Sequence, residues 1–144
     1  MTTHKYFKAL PPLEYLNECF SLDAETGVLT WRERPRHHFT SDRAATCANQ
    51  RNAGRVAGYT SDKGYIRIQL CWPNPFRVEW YYANRIVYAM CGHSLSPFMC
   101  VDHEDGNRAN NKPGNLRQVT HAVNNKNMPW HRQAVRRGEH TKQQ

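Results

Sequence analysis

The sequence predicts an α+β protein: a small antiparallel sheet and helices, leading into a C-terminal β-β-α segment. Three observations predict it. Residues 65–70 alternate, with Ile66, Ile68 and Leu70 on one face and Tyr65, Arg67 and Gln69 on the other, the period of a half-buried strand. Residues 83–91 put Ala83, Ile86, Val87 and Met90 on one helical face, and Gly92 ends the pattern. Residues 99–101 and 116–119 are short apolar strands flanking a polar, turn-rich loop, and Thr120 is a good cap for a helix starting at His121.

The remaining elements follow in order. Pro11-Pro12 opens a helix whose apolar face is Leu13, Leu16 and Phe20. Residues 23–27 form a turn, and 28–31 a strand. Residues 32–53 carry five arginines among polar residues without an apolar period, which reads as a long surface loop. Residues 55–59 read as a short strand, 62–64 as a turn and 78–82 as a further strand, after a break at Trp72-Pro73-Asn74-Pro75. A chain of 144 residues accommodates one compact domain. Within it, 1–98 form the helix and small-sheet region, 99–128 the β-β-α segment and 129–144 a basic tail.

Composition narrows the partner. Twenty Lys and Arg against 12 Asp and Glu give a net charge of +8, with a pI near 9.5, which points to a polyanion. The longest apolar run, 86–91, is six residues, far below the roughly 20 needed to span a bilayer. The N-terminus has no apolar stretch after its first positive charge, so no secretory signal and no membrane partner are expected, and the expected compartment is cytoplasmic. Five cysteines without a C-x-x-C pair read as reduced thiols. Cys91, His93, Cys100 and His103 have zinc-ligand chemistry but irregular spacing, and buried or half-buried thiols are the simpler reading. His37-His38 has no third ligand close by and reads as a solvated or phosphate-contacting loop.

Chemistry concentrates at Asp102-His103, at the end of the predicted strand. Alternation sends these two side chains to opposite faces unless the strand bends. Phosphodiester hydrolysis needs a base that works near neutral pH, and histidine is suited to it. It also needs a divalent cation on hard oxygen ligands, which Asp102 and Asn124 can offer. A neutral imidazole needs an orienting partner, and the side chain of Asn115 can be one. Asn107, Asn110 and Asn111 read as turn formers.

Val101-Asp102-His103-Glu104-Asp105-Gly106-Asn107, with Asn110-Asn111, Asn115-Leu116-Arg117 and Asn124, resembles the HNH endonuclease family, in particular its phage and intron-encoded homing branch. Weaker upstream signals extend the resemblance over about residues 12–127. It implies a ββα-metal fold and single-metal hydrolysis of double-stranded DNA to 5′-phosphate and 3′-hydroxyl ends. It also implies His103 as general base, Asn115 as the residue positioning it, and Asp102 and Asn124 as metal ligands. Mg²⁺ is the expected ion, with Mn²⁺ second and no organic cofactor. Many members have histidine where this chain has Asn124; His121, three residues earlier on the same helix, is an alternative.

DNA contacts are expected from Arg36, Arg43 and Arg51 in the segment 32–53, Arg67 and Gln69 on the outward strand face, and Arg108, Arg117, Lys126 and Arg132 in and after the β-β-α segment. Residues 126–144 carry a net charge of +4 and read as a phosphate-tracking arm. One such unit per chain implies nicking by a monomer; a homodimer would cut both strands. The competing readings are an inactive DNA-binding module and a zinc-stabilised regulatory protein.

Overall fold

The computed structural model describes residues 7–72 and 77–126. Its elements are α1 (Leu13–Cys19), β1 (Phe20–Leu22), β2 (Leu29–Trp31), α2 (Asp42–Asn52), β3 (Tyr59–Thr60), β4 (Ile66–Leu70), β5 (Glu79–Tyr82), α3 (Ala83–Met90), β6 (Cys100–His103), β7 (Leu116–Val119) and α4 (His121–Lys126). The strands form three small antiparallel sheets, β1-β2, β3-β4-β5 and β6-β7, as expected for the α+β class.

Three expectations fail. Phe20 does not continue α1. Its backbone turns extended, and it begins β1, opposite Trp31. The segment 32–53 is not a loop throughout, because Arg36–His38 is a 3₁₀ turn and α2 follows it. Local signals suffice for α2: Ser41 caps it by accepting the Ala44 N–H at 3.0 Å, and Asp42 sits in the first turn, favourable to the helix dipole. Ala45 is the one buried residue of this helix, so no apolar stripe announced it. The predicted strand at 55–59 shrinks to a bridge between Thr30 and Val56, followed by β3.

The core joins the N-terminal elements to the hairpin. Leu16 and Cys19 of α1, Phe20 of β1, Ile68 and Leu70 of β4, and Ile86 and Val87 of α3 are fully buried. Val101 of β6 and Leu116 of β7 belong to the same cluster. Each such side chain contributes about 1.5–3 kcal/mol on burial, so the hairpin is anchored by the core that holds the rest together. Helix α3 adds polar fastenings. Asn84 Nδ2 donates to Val101 O at 2.9 Å, and the buried Arg85 guanidinium donates to Met99 O and Ser96 O at 2.9 and 3.1 Å. Arg85 also lies over the Phe7 ring, 4.1 Å from its centroid. Burial lowers its pKa, and the nearby Cys100 acts in the opposite direction.

A glycine fixes one long-range approach. Gly27 closes the β1–β2 turn at φ +73°, and a Cβ there would lie 1.9 Å from Asn111 O. The bend is set by Asp23, whose Oδ1 accepts from the Glu25 N–H at 2.9 Å. This turn thereby abuts the loop that joins β6 to β7.

Candidate active site

The hairpin register pairs Asp102 with Arg117 and His103 with Leu116. Asp102 and His103 are only 4% and 3% exposed, so both faces of the strand end are covered. Across the ladder, Arg117 Nε and Nη2 donate to Asp102 Oδ2 at 3.1 and 3.0 Å. Such a charge-assisted pair fixes the rotamer of the carboxylate.

His103 Nε2 lies 2.8 Å from Asn111 Oδ1. An amide oxygen can only accept, so the ring proton sits on Nε2 and Nδ1 is the basic nitrogen. Burial lowers the His103 pKa and outweighs the Asn111 hydrogen bond and the nearby Asp102 and Asp105, which act to raise it. The Tyr65 ring lies 6.2 Å from the imidazole, and Arg108 covers Tyr65 at 4.7 Å while donating to Lys63 O at 2.7 Å.

Asn115 sits elsewhere in the network. Its Oδ1 accepts the Asp105 N–H at 3.1 Å, and its Nδ2 donates to Asp105 Oδ1 and Asn110 O at 3.0 and 2.8 Å. Asp105 Oδ2 also accepts from Asn110 Nδ2 at 2.8 Å. Desolvation acts to raise the Asp105 pKa, but these bonds, with that from the Asn107 N–H, hold it below the usual carboxylate range. Of the asparagines read as turn formers, Asn107 and Asn110 satisfy the loop, whereas Asn111 reaches His103; Asn115, expected to position His103, braces the loop instead. Sequence alone did not single out Asn111. The available signal was the Asp23–Gly27 turn, which presses on the Asn111 backbone but lies more than eighty residues away along the chain.

Helix α4 begins where Thr120 Oγ1 accepts the Val123 N–H at 3.4 Å. Asn124 and His121 both line a cleft of about 300 Å³ beside β6, together with Phe7, Tyr65, Tyr82 and Cys100. His121 Nδ1 lies 3.4 Å from Cys100 Sγ. Arg67 stacks on Trp80 and Tyr82, 5.1 and 6.0 Å from their centroids, and Gln69 is exposed beside it on the same face. Arg36 is engaged by Asp42 and Phe39 O, and Arg43 and Arg51 are exposed on α2. The Lys126 side chain and Arg132 lie outside the described residues.

The five cysteines are free thiols. Among the described residues, the set Cys91, His93, Cys100 and His103 is not gathered, while Glu18, His37 and His38 are. The missing third partner of His37-His38 is thus Glu18, and His38 is buried rather than solvated. No helix among the described residues is long and apolar enough to cross a membrane.

Hairpin, asparagine-rich loop and following helix together make a ββα unit. Residues 81–126 match the family model described as HNH endonuclease. No curated protein matches the chain. The solved structure described as "DNA binding and cleavage by the HNH homing endonuclease I-HmuI" is similar at 22% identity, with a TM-score of 0.47, over 85% of this chain and 55% of that one. This chain therefore spans about half the length of that protein.

Proposed function

We propose that the chain is a metal-dependent endonuclease that hydrolyses phosphodiester bonds in double-stranded DNA. The observation that carries this reading is the state of His103. It is a buried imidazole inside the family-matching segment, with its Nε2 proton committed to Asn111 and its basic nitrogen left as Nδ1. In the reaction, Nδ1 takes a proton from water, and the resulting hydroxide attacks phosphorus in line with the departing 3′ oxygen. The products are a 5′-phosphate and a 3′-hydroxyl. Asn111 holds the ring in the competent tautomer, and Asn115 braces the loop that carries Asn111.

Asp102 and Asn124 would hold the cation, with His121 as the alternative to Asn124. The donor set, a carboxylate and an amide oxygen, suits a hard ion, Mg²⁺ before Mn²⁺. Bound there, the ion would stabilise charge on the phosphate and the leaving oxygen. Arg117 orients Asp102 through Oδ2. Arg67, Gln69 and Arg108, on the sheet face and loop around Tyr65, carry DNA contacts near the site; Arg36, Arg43, Arg51, Lys126 and Arg132 extend the basic surface. With one unit per chain, a monomer nicks.

Supercoiled plasmid incubated with Mg²⁺, Mn²⁺ or chelator tests the reading. Open circles should form with either ion, and vanish with chelator and in His103→Ala. Plasmid left intact under every condition would sink the nuclease reading. Undiminished nicking by the variant would sink the assignment of His103.

A further inference from the structure

We propose that Glu18, His37 and His38 form a binding site for a zinc-class divalent cation, separate from Asp102 and Asn124, that ties the end of α1 to the 3₁₀ turn Arg36–His38. Glu18 Oε2 lies 3.3 Å from His37 Nε2 and 3.5 Å from His38 Nε2, and all three donor atoms lie within 4.8 Å of one another. A tetrahedral ion with bonds of about 2.0–2.1 Å sets neighbouring donors roughly 3.3 Å apart, so the two measured edges already have the required length. Two imidazole nitrogens and one carboxylate oxygen are a borderline donor set, which favours zinc over the hard ions expected at the hairpin.

A second observation points to a ligand. His38 is 3% exposed, and its Nε2 is buried without a hydrogen-bond partner among the described residues. The ring is held in place by stacking on Tyr15, with centroids 4.0 Å apart and planes at 22°. Its Nδ1 accepts from Arg34 Nε at 3.1 Å. That bond places the ring proton on Nε2 in the ion-free chain. Ion entry requires the proton to move to Nδ1 and Arg34 Nε to turn away. Cys19 Sγ, 3.9 Å from Nδ1, is the acceptor then available. The tautomer shift releases no proton. The fourth coordination position opens on a cleft of about 280 Å³ between Pro12, Glu14, Tyr15 and Trp72, where water can complete the tetrahedron. This site does not depend on the nuclease reading.

The test is titration of the full chain with Zn²⁺ and Co²⁺ in excess Mg²⁺. Co²⁺ should give the intense visible bands of a four-coordinate site, and one equivalent of Zn²⁺ should displace it and raise the melting temperature. His37→Ala and Glu18→Gln should each weaken binding at least tenfold and abolish the bands, while Asp102→Asn leaves both unchanged. The His37 side chain is 68% exposed, so its removal spares the core; an unchanged melting temperature without added ion verifies this. Parent-like Co²⁺ binding in His37→Ala and Glu18→Gln, binding lost only in Asp102→Asn, or no four-coordinate spectrum from the parent would each overturn the proposal.

Discussion

At the scale of single residues, the imidazole at position 103 depends on one amide. Asn111 is buried, and its Oδ1 fixes which ring nitrogen carries the proton. His103→Ala should retain DNA affinity and lose about 10²–10⁴ in cleavage rate, the usual share of a general base. Asn111 acts through His103, so its effect should follow its hydrogen-bond chemistry. Asn111→Leu keeps the volume but removes the acceptor, and cleavage should fall about 10–100-fold, as for other orienting partners of a working histidine. Asn111→Asp retains an acceptor and should recover most of that loss. If Leu and Asp variants cleave equally, the hydrogen bond has no role in orienting the base. Asp102, His103 and Asn124 are nominated by the sequence because residue type and spacing single them out as candidates. Asn111 is not, because its contact exists only after twelve loop residues fold back over the strand end.

Elements explain why that loop adopts its path. It abuts the β1–β2 turn, where Gly27 at φ +73° leaves no room for a side chain beside the Asn111 carbonyl. Gly27→Ala should cost at least the roughly 1–2 kcal/mol of a left-handed L-residue and also displace Asn111, lowering both melting temperature and cleavage. Gly54, at φ +84°, is the control, since a Cβ there meets nothing within 4 Å among the described residues. Gly54→Ala should lower the melting temperature and spare the cleavage of the remaining folded protein. Equal catalytic losses in the two variants would deny the coupling between turn and site. The same contrast of local and long-range determinants decides which elements the sequence disclosed. Strand β4 and helix α3 bury periodic faces, so their patterns are visible. Helix α2 rests on the Ser41 cap and helix-forming alanines with one buried residue, and a search for apolar periodicity passes over it. Phe20 has the right spacing for α1, yet pairing with Trp31 in β1 prevails because both aromatic rings then pack, with centroids 4.7 Å apart.

On the scale of the whole molecule, the net charge of +8 sets how binding should respond to salt. Each phosphate neutralised by Lys or Arg releases condensed counterions, so the logarithm of affinity falls with the logarithm of salt by about 0.9 per contact on duplex DNA. Arg67→Gln and Arg108→Gln should each flatten that slope by up to about one contact. Their folds should be little changed, because both guanidiniums rest on ring faces rather than in the core. Deleting 127–144 removes Arg132, Arg136, Arg137 and Lys142 and should flatten the slope by as much as roughly 3.6 if all four reach phosphate. Equilibrium binding of an uncut duplex by His103→Ala and by the same variant lacking 127–144, measured from 50 to 200 mM salt, separates the contributions. A slope unchanged by the deletion would confine the electrostatic contact to residues 1–126, leaving Arg67, Arg108, Lys126 and the exposed arginines of α2 as its candidate sources. A slope near zero in both proteins would remove duplex DNA as the partner, whatever the chemistry at His103.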